Sequence, residues 1–316
     1  MLASLRVPTL VVSCFILGAP ACSPPGDDGA GDGGDDAATD GDADVDGDAD
    51  TDGDTDADTD ADADFPDGWP DVCDEDTFDI TLVVPDMLVV LDRSYSMEVQ
   101  EHWGPVRDAI YAVTEALEAR VWFGLMVFPN VEDPAACVGM SMTNRCEPAR
   151  APILPCDAGN AAAIRAALET MDTCGATPAA DSLEAARAYL SEGLDPDRRG
   201  RAYVLLATDG GPTCNDALDG ASCRCASPTG GCRVDALSCL DADRSYAVID
   251  RLREGGIETF VVGVSAGGFG DVLDEMAARG GTGSALLAED PEGVRSAFDE
   301  VAGTVASCEL DIASDE

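Results

Sequence analysis

From residue 73 onward, two kinds of apolar pattern alternate along the chain. Residues 87–91, 121–128, 203–207 and 257–264 are short, nearly continuous apolar runs, as expected of strands buried on both faces. Residues 106–117, 161–171, 179–189, 246–253, 272–279 and 294–305 instead repeat apolar positions every three or four residues, which predicts helices with one packed face. Strands that alternate with helices build parallel sheets, because a parallel crossover needs a helix-length connection. The pattern therefore predicts a doubly wound α/β domain, a mostly parallel central sheet with helices on both faces. Ligands on such sheets sit beyond the carboxyl ends of the strands, and the chemistry is sought there.

The first 72 residues lack this pattern and read as two further segments. Arg6 precedes an apolar stretch at residues 7–17, too short for a membrane span of about 20 residues but of signal-peptide length. It ends in Ala19-Pro20-Ala21-Cys22. This tetrapeptide resembles the lipobox of bacterial lipoproteins, in which the cysteine is acylated and becomes the mature N-terminus. Ala19 stands where that pattern usually has Leu. The earlier Val11-Val12-Ser13-Cys14 lies inside the apolar run and would leave too short a core. The resemblance implies a signal peptide at 1–21 and a lipid on Cys22. With uncharged Ser23 following, it implies sorting to the outer membrane or cell surface.

Residues 22–72 are an acidic linker. Between Asp27 and Asp64 there are 18 Asp and no basic residue, with too little apolar surface to offset the entropy of ordering. Asp42–Asp48 and Asp48–Asp54 open like calcium loops, but the bidentate Glu of loop position twelve is replaced by Gly53 and Thr59. A solvated spacer is the expected role. The net charge is −45 overall, and from Phe65 onward 45 acidic residues face 17 Arg. Such a surface has no basic footprint for nucleic acid and no electrostatic pull toward anionic lipid. The single histidine, His102, excludes a multi-histidine metal site and makes acid–base catalysis at neutral pH hard to staff.

Three loops of the 73–316 domain gather oxygen ligands at one sheet edge. The first strand ends in Asp92-Arg93-Ser94-Tyr95-Ser96, the 203–207 strand in Thr208-Asp209-Gly210-Gly211, and Gly175-Ala176-Thr177-Pro178 opens a helix between them. Alternation at 92, 94 and 96 is expected to aim one carboxylate and two hydroxyls at a point above the strand. Two carboxylates with three hydroxyls suit a hard cation, Mg²⁺ first, with Mn²⁺ or Ca²⁺ as alternatives. In this order the three motifs resemble the metal-ion-dependent adhesion site of von Willebrand factor type A domains, over residues 78–308. The resemblance implies that Ser94, Ser96 and Thr177 coordinate the ion while Asp92 and Asp209 bind it directly or through water. Tyr95 replaces the Gly common between the two serines and is a candidate ligand contact. The implied function is metal-dependent binding of a protein or glycan ligand that brings an acidic group. An envelope scaffold or sensor with a structural metal is the alternative.

Setting aside Cys14 and Cys22, eleven cysteines remain, more than a reducing compartment accommodates, and one is left unpaired or intermolecular. The resemblance implies that Cys73 and Cys308, which bracket the domain, pair with each other and restrain the last helix. Cys137, Cys146, Cys156 and Cys174 fall around a Pro-rich loop and the Thr177 loop. Cys214, Cys223, Cys225, Cys232 and Cys239 fall in an insertion after Asp209. There Cys223-Arg224-Cys225 lacks the spacing of a zinc knuckle, and disulfide-stapled loops are expected. No enzymatic activity is expected. Gly263-Val264-Ser265-Ala266-Gly267 matches the serine-hydrolase elbow, but His102 precedes the serine whereas that family's histidine follows it.

Overall fold

A computed structural model describes residues 80–131, 145–194, 200–226, 231–266, 268–306 and 310–312. The signal-like segment, Cys22, the acidic linker, Cys73, Cys137 and Cys308 lie outside these residues. Among the described residues no helix is long and apolar enough to cross a membrane.

The elements in chain order are β1 (Ile80–Leu82), β2 (Asp86–Asp92), α1 (Tyr95–Val99), α2 (Trp103–Leu117), β3 (Trp122–Phe128), β4 (Leu154–Asp157), α3 (Ala161–Glu169), α4 (Ala179–Ala188), β5 (Ala202–Thr208), α5 (Ala242–Glu254), β6 (Glu258–Val264), α6 (Gly270–Gly280), β7 (Leu286–Ala288), α7 (Pro291–Val305) and β8 (Leu310–Ile312). Six strands form one sheet in the order β4-β3-β2-β5-β6-β7. All neighbours are parallel except β3 and β4. β1 and β8 pair separately and antiparallel, which brings the two ends of the domain together.

The alternation of side chains along β2 explains the layering. Met87, Val89 and Leu91 pack with residues of α2, α3 and α7, while Leu88 and Val90 pack with residues of α4, α5 and α6. Every residue of β2 is buried, and each such large apolar side chain contributes roughly 1.5–3 kcal/mol. Caps set some helix ends. The Asp290 carboxylate accepts from the Gly293 N–H at 2.8 Å and Pro291 opens α7, while Gly281 at φ +84° closes α6.

From β2 the chain crosses through α2 to β3 on one side, whereas β5 lies on the other side of β2 and leads on to β6 and β7. The strand order thus reverses between β2 and β5, and the crevice above their carboxyl ends is where such sheets bind ligands.

Candidate metal centre

Asp92 is the last residue of β2, and its Oδ1 accepts the Ser94 N–H at 2.7 Å, turning the chain into α1. The Ser94 and Ser96 hydroxyls are 2.9 Å apart, and Ser96 Oγ donates to Asp209 Oδ1 at 2.7 Å. Thr208 Oγ1, at the end of β5, donates to Asp92 Oδ2 at 2.6 Å. A continuous chain of hydrogen bonds therefore joins carboxylates from the two strands that flank the switch point. The expectation of strand alternation at 92, 94 and 96 needs correction. β2 stops at Asp92 and Ser96 lies in α1, so a turn and a short helix, rather than strand pleating, bring the three side chains together.

Thr177 enters by its backbone. Its N–H donates to Thr213 Oγ1 at 3.0 Å and its carbonyl accepts the Thr213 N–H at 2.8 Å, which knits its loop to the loop after Asp209. The Tyr95 N–H donates to the Gly175 carbonyl at 3.1 Å. Gly175 has φ +79°, and a Cβ there would stand 2.7 Å from Pro129 and 2.8 Å from the Arg145 carbonyl; only glycine fits. The Thr177 hydroxyl takes no part in the hydrogen-bonded chain of Asp92, Ser94, Ser96 and Asp209.

Arg93 and Thr208, both at the centre, were not singled out as site residues by sequence. Arg93 is buried and spreads its guanidinium over three backbone carbonyls: Pro129 at 2.9 Å, Asp172 at 3.1 Å and Val131 at 3.1 Å. With the Cys174 N–H donating to the Arg93 carbonyl at 2.8 Å, it fixes the loops after β3 and before Thr177. Thr208 is the other, and the Thr-Asp pair that carries it was already visible in the motif. Tyr95 is half exposed.

The electrostatics favour a cation. Asp92 and Asp209 are 0% and 3% exposed, and among the described residues no arginine pairs with either. Burial first, and for Asp92 the nearby Asp209 charge second, push both carboxyls above the ordinary carboxylate range. His102 Nδ1 lies 3.4 Å from Asp209 Oδ2. Burial holds its pKa below the usual imidazole value, with the Glu289 charge acting the other way. Two buried carboxyls amid hydroxyl oxygens are a donor set fitted to a hard divalent ion, which would favour their ionised forms.

No family profile matches the sequence, and no curated protein sequence does. Solved structures do match. The pilus adhesin SpaC of Lactobacillus rhamnosus GG, in its open conformation, has a TM-score of 0.51 at 16% identity, over 72% of this chain and 30% of that one. The vWF domain of the type V pili tip protein Mfa5 of Porphyromonas gingivalis has a TM-score of 0.50 at 11% identity, over 75% of this chain and 98% of that one. The fold is that of a von Willebrand factor A domain. This chain spans less than a third of SpaC.

Onto this von Willebrand factor A fold the chain adds a cysteine-stapled insertion after Asp209. Cys223 pairs with Cys239, Cys225 with Cys232, and Cys146 with Cys214. Cys223, Cys232 and Cys239 cluster closely enough to hold a metal, but their thiols are consumed in disulfides. Cys174 is also disulfide-bonded. Cys156 lies in edge strand β4 rather than in a loop and is buried. The insertion abuts the centre, where the Asp241 N–H donates to the Pro212 carbonyl at 2.8 Å and Arg145 pairs with Asp235. A Cβ at Gly211 would stand 2.5 Å from Leu240 and 2.9 Å from Phe269, so the loop and the insertion meet tightly. Ser265 adopts φ +44° after β6. Its hydroxyl reaches the Glu289 carbonyl at 3.5 Å, and among the described residues it has no hydrogen-bonded base, which gives the hydrolase reading no geometric support.

Proposed function

We propose that the chain is an exported lipoprotein, anchored through Cys22 to the outer membrane or cell surface, whose domain binds a protein or glycan ligand through a divalent cation. Asp92, Ser94, Ser96, Thr177 and Asp209 would hold the ion, and the bound ion would act as a Lewis acid that accepts a carboxylate of the ligand. The observation that carries this reading is the pair of buried carboxylates at the carboxyl ends of adjacent strands, set among hydroxyls, with no arginine paired to them among the described residues. Two structures that share the fold belong to a pilus adhesin and a pilus tip protein, a context of binding rather than catalysis. The half-exposed Tyr95 and the exposed Val99 of α1 supply an apolar margin beside the centre, and the stapled insertion supplies another wall.

Capture of envelope components on the immobilised protein tests the proposal. Recovery of a partner with Mg²⁺, lost on chelation and lost with Asp209→Ala, is the expected result. Full recovery by the Asp209→Ala protein in chelator overturns metal-dependent binding. Radiolabelled palmitate incorporated by the wild-type protein and not by Cys22→Ser tests the anchor.

A further inference from the structure

The chain's one histidine stands at the centre rather than on the surface. The His102 N–H donates to the Met97 carbonyl at 2.9 Å, and the preceding Glu101, at φ +59°, turns the chain between α1 and α2. That turn sets the ring beside Asp209, with its side chain 12% exposed and Nδ1 3.4 Å from Asp209 Oδ2. A good N–H···O bond is shorter, about 2.7–3.2 Å. No other described group is hydrogen-bonded to the ring.

The two spacings at the centre differ in kind. Atoms bonded at ~2.1 Å to one ion across a right angle are ~3.0 Å apart, close to the 2.9 Å between Ser94 and Ser96 Oγ. Atoms bonded at ~2.05 Å across a tetrahedral angle are ~3.3 Å apart, close to the 3.4 Å between His102 Nδ1 and Asp209 Oδ2. The second pair is long for a hydrogen bond and well spaced for two ligands of an ion with fewer ligands. Accepting a metal requires the neutral ring, with its proton on Nε2.

We propose that His102 Nδ1 is a ligand of the bound cation together with Asp209, and that the centre takes Zn²⁺ in preference to Mg²⁺. The proposal rests on the metal-binding reading above and names the metal. Imidazole nitrogen suits zinc, and magnesium keeps oxygen ligands and water. The remaining oxygens would still bind Mg²⁺ when zinc is scarce, so His102 sets the preference and does not create the site.

Calorimetric titration of the oxidised full chain with Zn²⁺ and with Mg²⁺, after chelator treatment, tests this in wild type, His102→Ala, His102→Gln and Asp209→Ala. Wild type should bind Zn²⁺ more tightly than Mg²⁺. His102→Ala should lower Zn²⁺ affinity by about 10–100-fold or more, since loss of even an outer partner of a metal-bound histidine costs that much, and change Mg²⁺ affinity by less than about 2-fold. His102→Gln retains a hydrogen-bond donor and should behave like His102→Ala. Equal losses for both metals, or recovery of Zn²⁺ affinity in His102→Gln, would show that the ring only orients Asp209 and would overturn the proposal. Co²⁺ as a spectroscopic substitute should give no thiolate charge-transfer band in any variant; such a band would place the zinc on cysteine and overturn it as well. If wild type binds Mg²⁺ but Zn²⁺ no more tightly, the zinc assignment fails while the proposed function stands. If wild type binds neither metal, or Asp209→Ala binds both as well as wild type, the function itself fails.

Discussion

Replacing Asp92 with asparagine tests the charge balance of the centre, and the expected sign is opposite to that of most buried substitutions. Asp92 is wholly buried, and its carboxyl is pushed from 3.8 up to about 7, by burial first and the Asp209 charge second. A carboxyl with a raised folded pKa holds its proton more tightly folded than unfolded. Its contribution is therefore fully present below about pH 4 and is lost as pH rises through about 7. At ~1.4 kcal/mol per pH unit, the ionised side chain costs the metal-free fold up to roughly 4 kcal/mol near pH 8. Asparagine removes that charge but turns an amide toward Thr208, where the carboxylate accepted a hydrogen bond. About half the ceiling, ~2 kcal/mol of net stabilisation, is expected to survive. Urea unfolding in chelator should show Asp92→Asn more stable than wild type near pH 8, with the gap closing near pH 4. Millimolar Mg²⁺ or Zn²⁺ should reverse the order, because only wild type gains from the metal. A variant less stable than wild type in chelator at both pH values would refute the reasoning.

Three further outcomes are expected. Mutating Cys146 and Cys214 together to serine opens a bridge spanning 68 residues; loop entropy puts the loss at about 4 kcal/mol, measurable as a lower urea midpoint. Metal affinity should fall with it, since that bridge joins the loop after β3 to the loop after Asp209. Arg93→Lys keeps the charge but not the fork over three carbonyls, and should cost roughly 2–4 kcal/mol and weaken metal binding in calorimetry; unchanged values would remove Arg93 from the support of the centre. Tyr95→Ala, at a half-exposed position, should reduce partner capture while leaving metal affinity and stability near wild type, and a loss of metal affinity instead would place Tyr95 inside the centre.

The layered sheet was legible because its strands are buried on both faces and so read as unbroken apolar runs. Predicted strand 87–91 became Asp86–Asp92, and predicted helix 294–305 became Pro291–Val305. The added residues are polar ends and caps, which apolar periodicity does not mark. Leu154–Asp157 escaped notice because it is four residues long, contains Pro155 and pairs only on one side; proline is confined to such edges. The three-residue β7 and the β1–β8 pair carry too few positions for any period. At the centre, side-chain oxygens were legible from motif spacing, as was the loop that holds Thr177. The roles of Arg93 and His102 were not, because they depend on which carbonyls and carboxylates the folded loops bring within reach. The pairing within the insertion was closed to sequence for the same reason, since five cysteines in one segment permit several partnerings.

Anomalous diffraction from a crystal soaked in Mn²⁺ locates the bound ion itself. One strong peak is expected within ~2.5 Å of the Ser94 and Ser96 hydroxyls, between the loops of Asp92, Thr177 and Asp209. An ion at another place on this acidic surface, with none between those loops, would contradict the proposed centre.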